Sequence, residues 1–119
     1  MKLGESPPGR RAVRSRRPVT LAENVTQAVQ QIICDGQRFQ LRGPIDLTVR
    51  HSGPYCFVAY TPLAIEGYGR SEEKALRAFA DAFSATWDAY ASADDPDLTR
   101  DARQLKRALR RLVAEVGAA

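Results

Sequence analysis

The sequence predicts an α+β domain: a small antiparallel sheet packed by one amphipathic helix, followed by a second, basic amphipathic helix. Three observations carry this expectation. Between residues 31 and 68, short apolar or alternating runs are separated by turn residues. From residue 71, large apolar side chains recur at helical spacing for five turns. After a second punctuation at ASADDPD, residues 91–97, another helical period begins and runs to about residue 116. At 119 residues the chain suits one small domain, and a hydrophobic fraction of 44% with a charged fraction of 27% is ordinary for a globular protein.

The elements follow in order. Residues 1–18, MKLGESPPGRRAVRSRRP, hold three of the seven prolines, five arginines and almost no apolar periodicity. Such a segment cannot bury enough surface to offset the entropy of ordering, so a disordered basic arm is expected, with a single domain over 19–119. In TLAENVTQAVQQII, Thr20 and Glu23 have the spacing of a capping box and Leu21, Val25, Ala28 and Ile32 recur at helical spacing. A short helix to about residue 29 is expected there. IICDGQRF then reads as a hairpin, because Asp35-Gly36 can supply the two positive φ angles of a type I′ turn. Ile45, Leu47 and Val49 alternate with Asp46, Thr48 and Arg50, a strand with one apolar and one wet face. His51-Ser52-Gly53-Pro54 reads as a turn, YCFVAY as a strand covered on both faces, and AIEGY as the last short strand before about residue 68.

The stretch IEGYGRSEEKALRAF has the look of a phosphate-binding turn. Its residues argue otherwise. Ser71 suits an N-cap, and Glu72 and Glu73 fall in the first turn of the helix, where the dipole favours carboxylates and where a bound phosphate would have to sit. Lys74 occupies the third glycine position of G-x-G-x-x-G, and no GxxxxGK[ST] exists. The stretch is therefore expected to hand the chain from strand to helix 71–91, whose Leu76, Phe79, Phe83, Trp87 and Tyr90 mark one face. Thr99 is the expected N-cap of helix 99–116, with Leu98, Ala102, Leu105, Leu109, Leu112 and Val116 on one side and Arg100, Arg103, Arg107 and Arg110 on another.

The net charge of +4 conceals an asymmetry. Residues 1–20 carry a net +5, residues 98–119 a net +4, and the centre, 21–97, a net −5. The basic ends suggest an anionic polymer as partner, through Arg10, Arg11, Arg14, Arg16 and Arg17 of the arm and Arg103, Arg107 and Arg110 of the last helix. Catalysis is not expected. His51 is the sole histidine and sits in a turn, there is neither HExxH nor CxxC, and Asp94, Asp95 and Asp97 are interrupted by Pro96. No catalytic residue, metal ligand or cofactor site is assigned. Cys34 and Cys56 are too few for a disulfide framework or a structural zinc site, and both are expected as free buried thiols. No long apolar run or apolar core of a secretory signal stands out, so a cytoplasmic protein with no membrane partner is expected.

YCFVAYTPLAIEGYGRSEEKALRAFA, residues 55–80, resembles the core of the HicB-like antitoxins: a strand, a Pro-containing turn, a short strand, then G-x-[ST]-x-x-E-A-L opening a helix. Gly69, Ser71, Ala75 and Leu76 match; Lys74 stands where that family usually has Glu, and Glu66-Gly67 where it often has Pro-Gly. The resemblance implies a partial RNase-H-like fold without the nuclease carboxylates, and binding to a small basic RNA-cleaving toxin. It also implies a C-terminal DNA-binding module, of which only one basic helix is present. The expected function is a non-catalytic, antitoxin-like protein-binding module. Glu66, Tyr68, Glu72 and Glu73 are the candidate contacts, and Trp87 and Tyr90 a candidate anchor at the helix end. The alternatives are a nucleic-acid-binding accessory protein using the basic ends, or a structural homodimer built on the Leu105–Leu109–Leu112 seam.

Overall fold

The computed structural model describes residues 24–119; the basic arm 1–18 and the Thr20–Glu23 capping box lie outside them. The chain is an α+β fold: strands β1 (Asn24–Cys34), β2 (Gln37–Ser52), β3 (Tyr55–Tyr60) and β4 (Ile65–Gly69), helix α1 (Glu72–Thr86), helix α2 (Arg100–Leu112) and strand β5 (Val113–Ala118). The strands form one antiparallel sheet in the order β1-β2-β3-β4, with β5 also on β2. β1 runs along one side of β2. On its other side β2 holds β5 against residues 37–41 and β3 against residues 48–52.

Three expectations are corrected by this sheet. Residues 24–29 are strand, not helix. Their β-branched Val25, Thr26 and Val29 pair with Val49, Thr48 and Ile45, and this ladder overrides a weak helical period. The sheet consequently begins seven residues before the expected start at 31. The last helix ends at Leu112 rather than near 116, because Val113–Ala118 finds the free side of β2 and closes five register pairs, Leu41↔Val113 to Gln37↔Ala118. Val113, Val116 and Gly117 are poor helix residues but acceptable in a strand or at its end. Finally, the hairpin arm after Gly36 and the alternating run at 45–49 are one strand. The register passes from Val29↔Ile45 to Gln31↔Gln40, so Gln30 alone opposes residues 41–44. Pro44 cannot donate to a ladder, and this bulge is where it is accommodated.

The Asp35-Gly36 hairpin is as expected, with φ of 47° and 78°. So is the start of α1: the Ser71 hydroxyl accepts from the Lys74 backbone N–H at 3.2 Å, with Glu72 and Glu73 in the first turn. After Thr86 the helix widens into one π-helical turn, Trp87–Ala91. The core lies between the sheet and α1. Phe39, Leu47, Val49, Val58, Phe79, Phe83 and Leu109 are almost fully enclosed. Phe39 meets Phe83 edge-to-face at 5.2 Å and Trp87 at 5.6 Å. Ala75 and Ala80 also face inward, since a small side chain lets the helix lie directly on β4. The glycines of the GYG stretch make the same approach from below. A Cβ on Gly67 would collide with the Phe79 nitrogen and lie 2.6 Å from the Ala78 carbonyl carbon; one on Gly69 would lie 2.7 Å from Lys74 Cβ. The unusual glycine pairing thus serves strand-to-helix packing.

Both cysteines are free and buried. The Cys34 thiol donates to Asp81 Oδ1 at 3.1 Å; that hydrogen bond, then burial, raises its pKa. Burial and then the charge of Glu72 raise that of Cys56. Thiols held protonated and enclosed are poor nucleophiles. Native protein at pH 8 is expected to react with a disulfide reagent at least ~10-fold more slowly than free cysteine, and to release two equivalents promptly in denaturant. Rapid native labelling of either thiol would show that its enclosure opens.

Candidate functional site

The sheet has one covered face, under α1, and one open face. β3 illustrates the division. YCFVAY is not covered on both faces: Cys56 and Val58 point into the core, while Tyr55 and Phe57 lie on the open side and Tyr55 is 37% exposed. The continuous apolar run conceals an aromatic pair that does not belong to the core.

The six candidate protein-contact residues do not form one surface. Glu66 and Tyr68 are exposed on the open face of β4. Glu72 and Glu73 are exposed at the start of α1, with Glu73 Oε2 3.4 Å from Arg77 Nη2 and Glu72 Oε2 3.8 Å from His51 Nε2. Trp87 and Tyr90 lie at the other end of α1, about 22 Å away along a helix rising 1.5 Å per residue. Both are half-buried, Trp87 against Phe39 with Arg110 over its ring at 5.8 Å. The anchor expected at the helix end is therefore part of the packing between α1, α2 and the sheet.

Several cations of the basic helix also make contacts within the chain. Arg110 donates from Nε (3.0 Å) and Nη2 (2.7 Å) to the Ala91 carbonyl, at the end of the π turn. Lys106 donates to the Ala93 carbonyl at 2.6 Å and to Asp95 at 2.9 Å, a hydrogen bond that lowers the Asp95 pKa. Arg42 in turn donates to the Arg110 carbonyl at 3.3 Å. These cations satisfy the orphan carbonyls at the ends of α1 and α2, where the helix dipole also favours positive charge. Arg103 is half-buried, with Nε enclosed and unpartnered among the described residues. Of the three arginines expected to contact phosphates, Arg107 alone combines exposure with no hydrogen bond among the described residues. The five arginines of the arm lie outside these residues. The leucine seam is closed within the chain: Leu109 is 0% exposed, and Leu105 and Leu112 pack beside it against the core. Within the chain the seam is thus used for packing, with Leu105 and Leu112 partly buried.

Two features escaped the sequence reading. One is the outer edge of β1. Asn24–Cys34, NVTQAVQQIIC, is eleven residues long, contains no charged residue and no proline, and pairs only with β2 among the described residues. Val25 is 53% exposed and Ile33 51%. Beside it, between β1 and α1, runs an open groove of about 350 Å³ lined by Val29, Ile32, Leu76, Phe79 and Ala80. The other feature is the aromatic cluster of the open face, described below. The signal for β1 was present in its β-branched residues, but the helical period masked it.

The described residues bring together one group with ligand chemistry, Cys34, Asp35 and Asp81, whose donor atoms lie within 4.8 Å of one another. The Cys34 thiol donating to Asp81 accounts for the approach of those two, and Asp35 is the next residue in the chain. Among the described residues no helix is long and apolar enough to cross a membrane. No family model, curated protein or solved structure matches the chain.

Proposed function

We propose that the chain is a non-catalytic protein-binding module, an antitoxin-like neutraliser of a small basic partner, similar in kind to the HicB-like proteins that residues 55–80 resemble. The observation that carries protein binding is the β1 edge. An exposed strand edge presents a row of unpaired N–H and C=O groups, and folded proteins usually blunt such edges with charges, proline or a covering element. β1 has neither charge nor proline, and it flanks an apolar groove. An extended segment of a partner adding to β1 would gain main-chain hydrogen bonds and set alternate side chains into the groove. The net charge of −5 over residues 21–97 favours a basic partner over an acidic one. Glu66, Tyr68, Glu72 and Glu73, toward the opposite edge, provide a second contact region on this reading. The two buried free thiols suit a reducing compartment such as the cytoplasm.

The test is a tagged capture from native lysate, with and without nuclease, read by mass spectrometry. The proposal expects one small basic protein in near-stoichiometric amount, retained after nuclease. No near-stoichiometric protein left after nuclease, with all bound material lost on nuclease and added salt, would overturn it in favour of nucleic-acid binding alone.

A further inference from the structure

The open face of the sheet carries a stack that the β1 edge does not involve, although its outermost ring, Tyr68, also falls in the second contact region named above. Arg50, Phe57 and Tyr68 are register partners across β2, β3 and β4, so their side chains stand in one row on this face. The Arg50 guanidinium lies over the Phe57 ring at 4.5 Å from its centroid. Phe57 and Tyr68 are stacked, with centroids 5.8 Å apart and planes inclined by 29°. Tyr55, in the next row, meets Tyr68 edge-on at 6.1 Å and is itself overlaid by Arg70 at 5.4 Å. The stack ends in Tyr68, which is 62% exposed.

We propose that this face binds single-stranded nucleic acid, with bases stacking on Tyr68 and Tyr55 and Arg50 and Arg70 meeting the phosphates that flank them. Three observations favour a nucleic acid over a protein. A planar ring exposed at the end of a stack is a surface on which any base can continue it, and guanidinium planes extend such stacks. The cluster itself carries two cations, Arg50 and Arg70, and the residues beside it are small or polar: the adjoining row is Thr26, Thr48, Ala59 and Glu66, and Ser52 pairs with Tyr55. That row adds no bulky aliphatic side chain that would widen the aromatics into a larger apolar docking patch. Glu66 stands beside the stack with acceptor oxygens suited to an N–H on the Watson–Crick edge of a base, such as uracil N3–H. An unstacked single strand, unlike a duplex, offers both its π-faces and these edges.

The inference stands apart from the β1 edge and is tested on the purified full chain alone. A labelled 12-nucleotide oligouridylate and an abasic 12-mer of equal charge are titrated by fluorescence anisotropy at low and moderate salt. The expected result is at least ~10-fold tighter binding of the oligouridylate, the scale of a stacked base. Tyr68→Ala should remove most of that preference, Tyr68→Phe should retain it, and Arg50→Gln should weaken binding of both oligomers. Tyr68 is mostly exposed, so the alanine variant is expected to keep its unfolding midpoint, which a urea titration checks. Equal affinity for the two oligomers, an unaltered preference in Tyr68→Ala, or no binding at low salt would each overturn the proposal. So would concentration-dependent self-association abolished by Tyr68→Ala, which would assign the face to a second copy.

Discussion

Gly67→Ala is expected to abolish the folded state or bring the chain close to it. The added Cβ would collide with the Phe79 nitrogen and lie 2.6 Å from the Ala78 carbonyl carbon and 2.7 Å from Phe79 Cα. These are backbone atoms in the middle of α1, and no rotamer change can move them. The whole helix would have to lift off β4, uncovering Phe79 and Phe83, each at most 1% exposed. Overpacking in a core with adjustable side chains costs about 1–3 kcal/mol. Here the obstacle is rigid, so a loss above ~3 kcal/mol is expected, a large share of the stability of a small domain. Gly43→Ala serves as the control, since its Cβ would meet nothing within 4 Å. That variant should stay within ~0.5 kcal/mol of the parent in a urea titration. A Gly67→Ala protein with an unchanged midpoint would mean that α1 does not rest on β4 as described.

Leu109→Asp is expected to give unfolded protein rather than folded monomers. Leu109 is 0% exposed within a single chain, between α2, the end of α1 and the sheet. A carboxylate there has no partner and cannot reach water without opening the packing. The milder Leu109→Ala should still cost about 2–5 kcal/mol through lost transfer energy and the cavity left behind. Circular dichroism and sedimentation together read the outcome. Loss of structure in Leu109→Asp, with a folded but weakened Leu109→Ala, fits α2 as an internal element. A well-folded Leu109→Asp protein with reduced oligomeric mass would instead return the leucine seam to an interface between chains.

Much of the fold was legible in the sequence because its signals were local. The Asp35-Gly36 turn, the Ser71 cap followed by two glutamates, and the Phe79/Phe83 period each specify their own geometry within a few residues. What was not legible depends on distant partners. Val25, Ala28 and Ile32 keep a helical period while Val25, Thr26 and Val29 favour a strand, and only pairing with β2 decides. Val113–Ala118 continues a helical pattern until the free side of β2 captures it. The candidate sites fared less well for a related reason. An arginine's type does not reveal whether it meets solvent or a helix end: Arg110, expected on phosphates, donates to the Ala91 carbonyl, whereas Arg50, read onto the wet face of its strand, and Arg70 were not read as site residues. YCFVAY reads as uniformly apolar, yet its two aromatics at positions 55 and 57 share the uncovered side, and Tyr68 joins them only through the β3–β4 register.

The most direct test of the protein-binding account compares the wild-type chain with a Val25→Lys/Ile33→Lys double variant in the same nuclease-treated capture. Both positions are more than half exposed, so the variant should fold with its midpoint within ~0.5 kcal/mol of the parent, while two charges now guard the β1 edge. The account predicts that the wild-type chain retains a small basic protein and that the double variant retains it at least ~10-fold less. Equal retention by the two proteins would contradict it, and would move the contact away from β1 to the opposite side of the sheet.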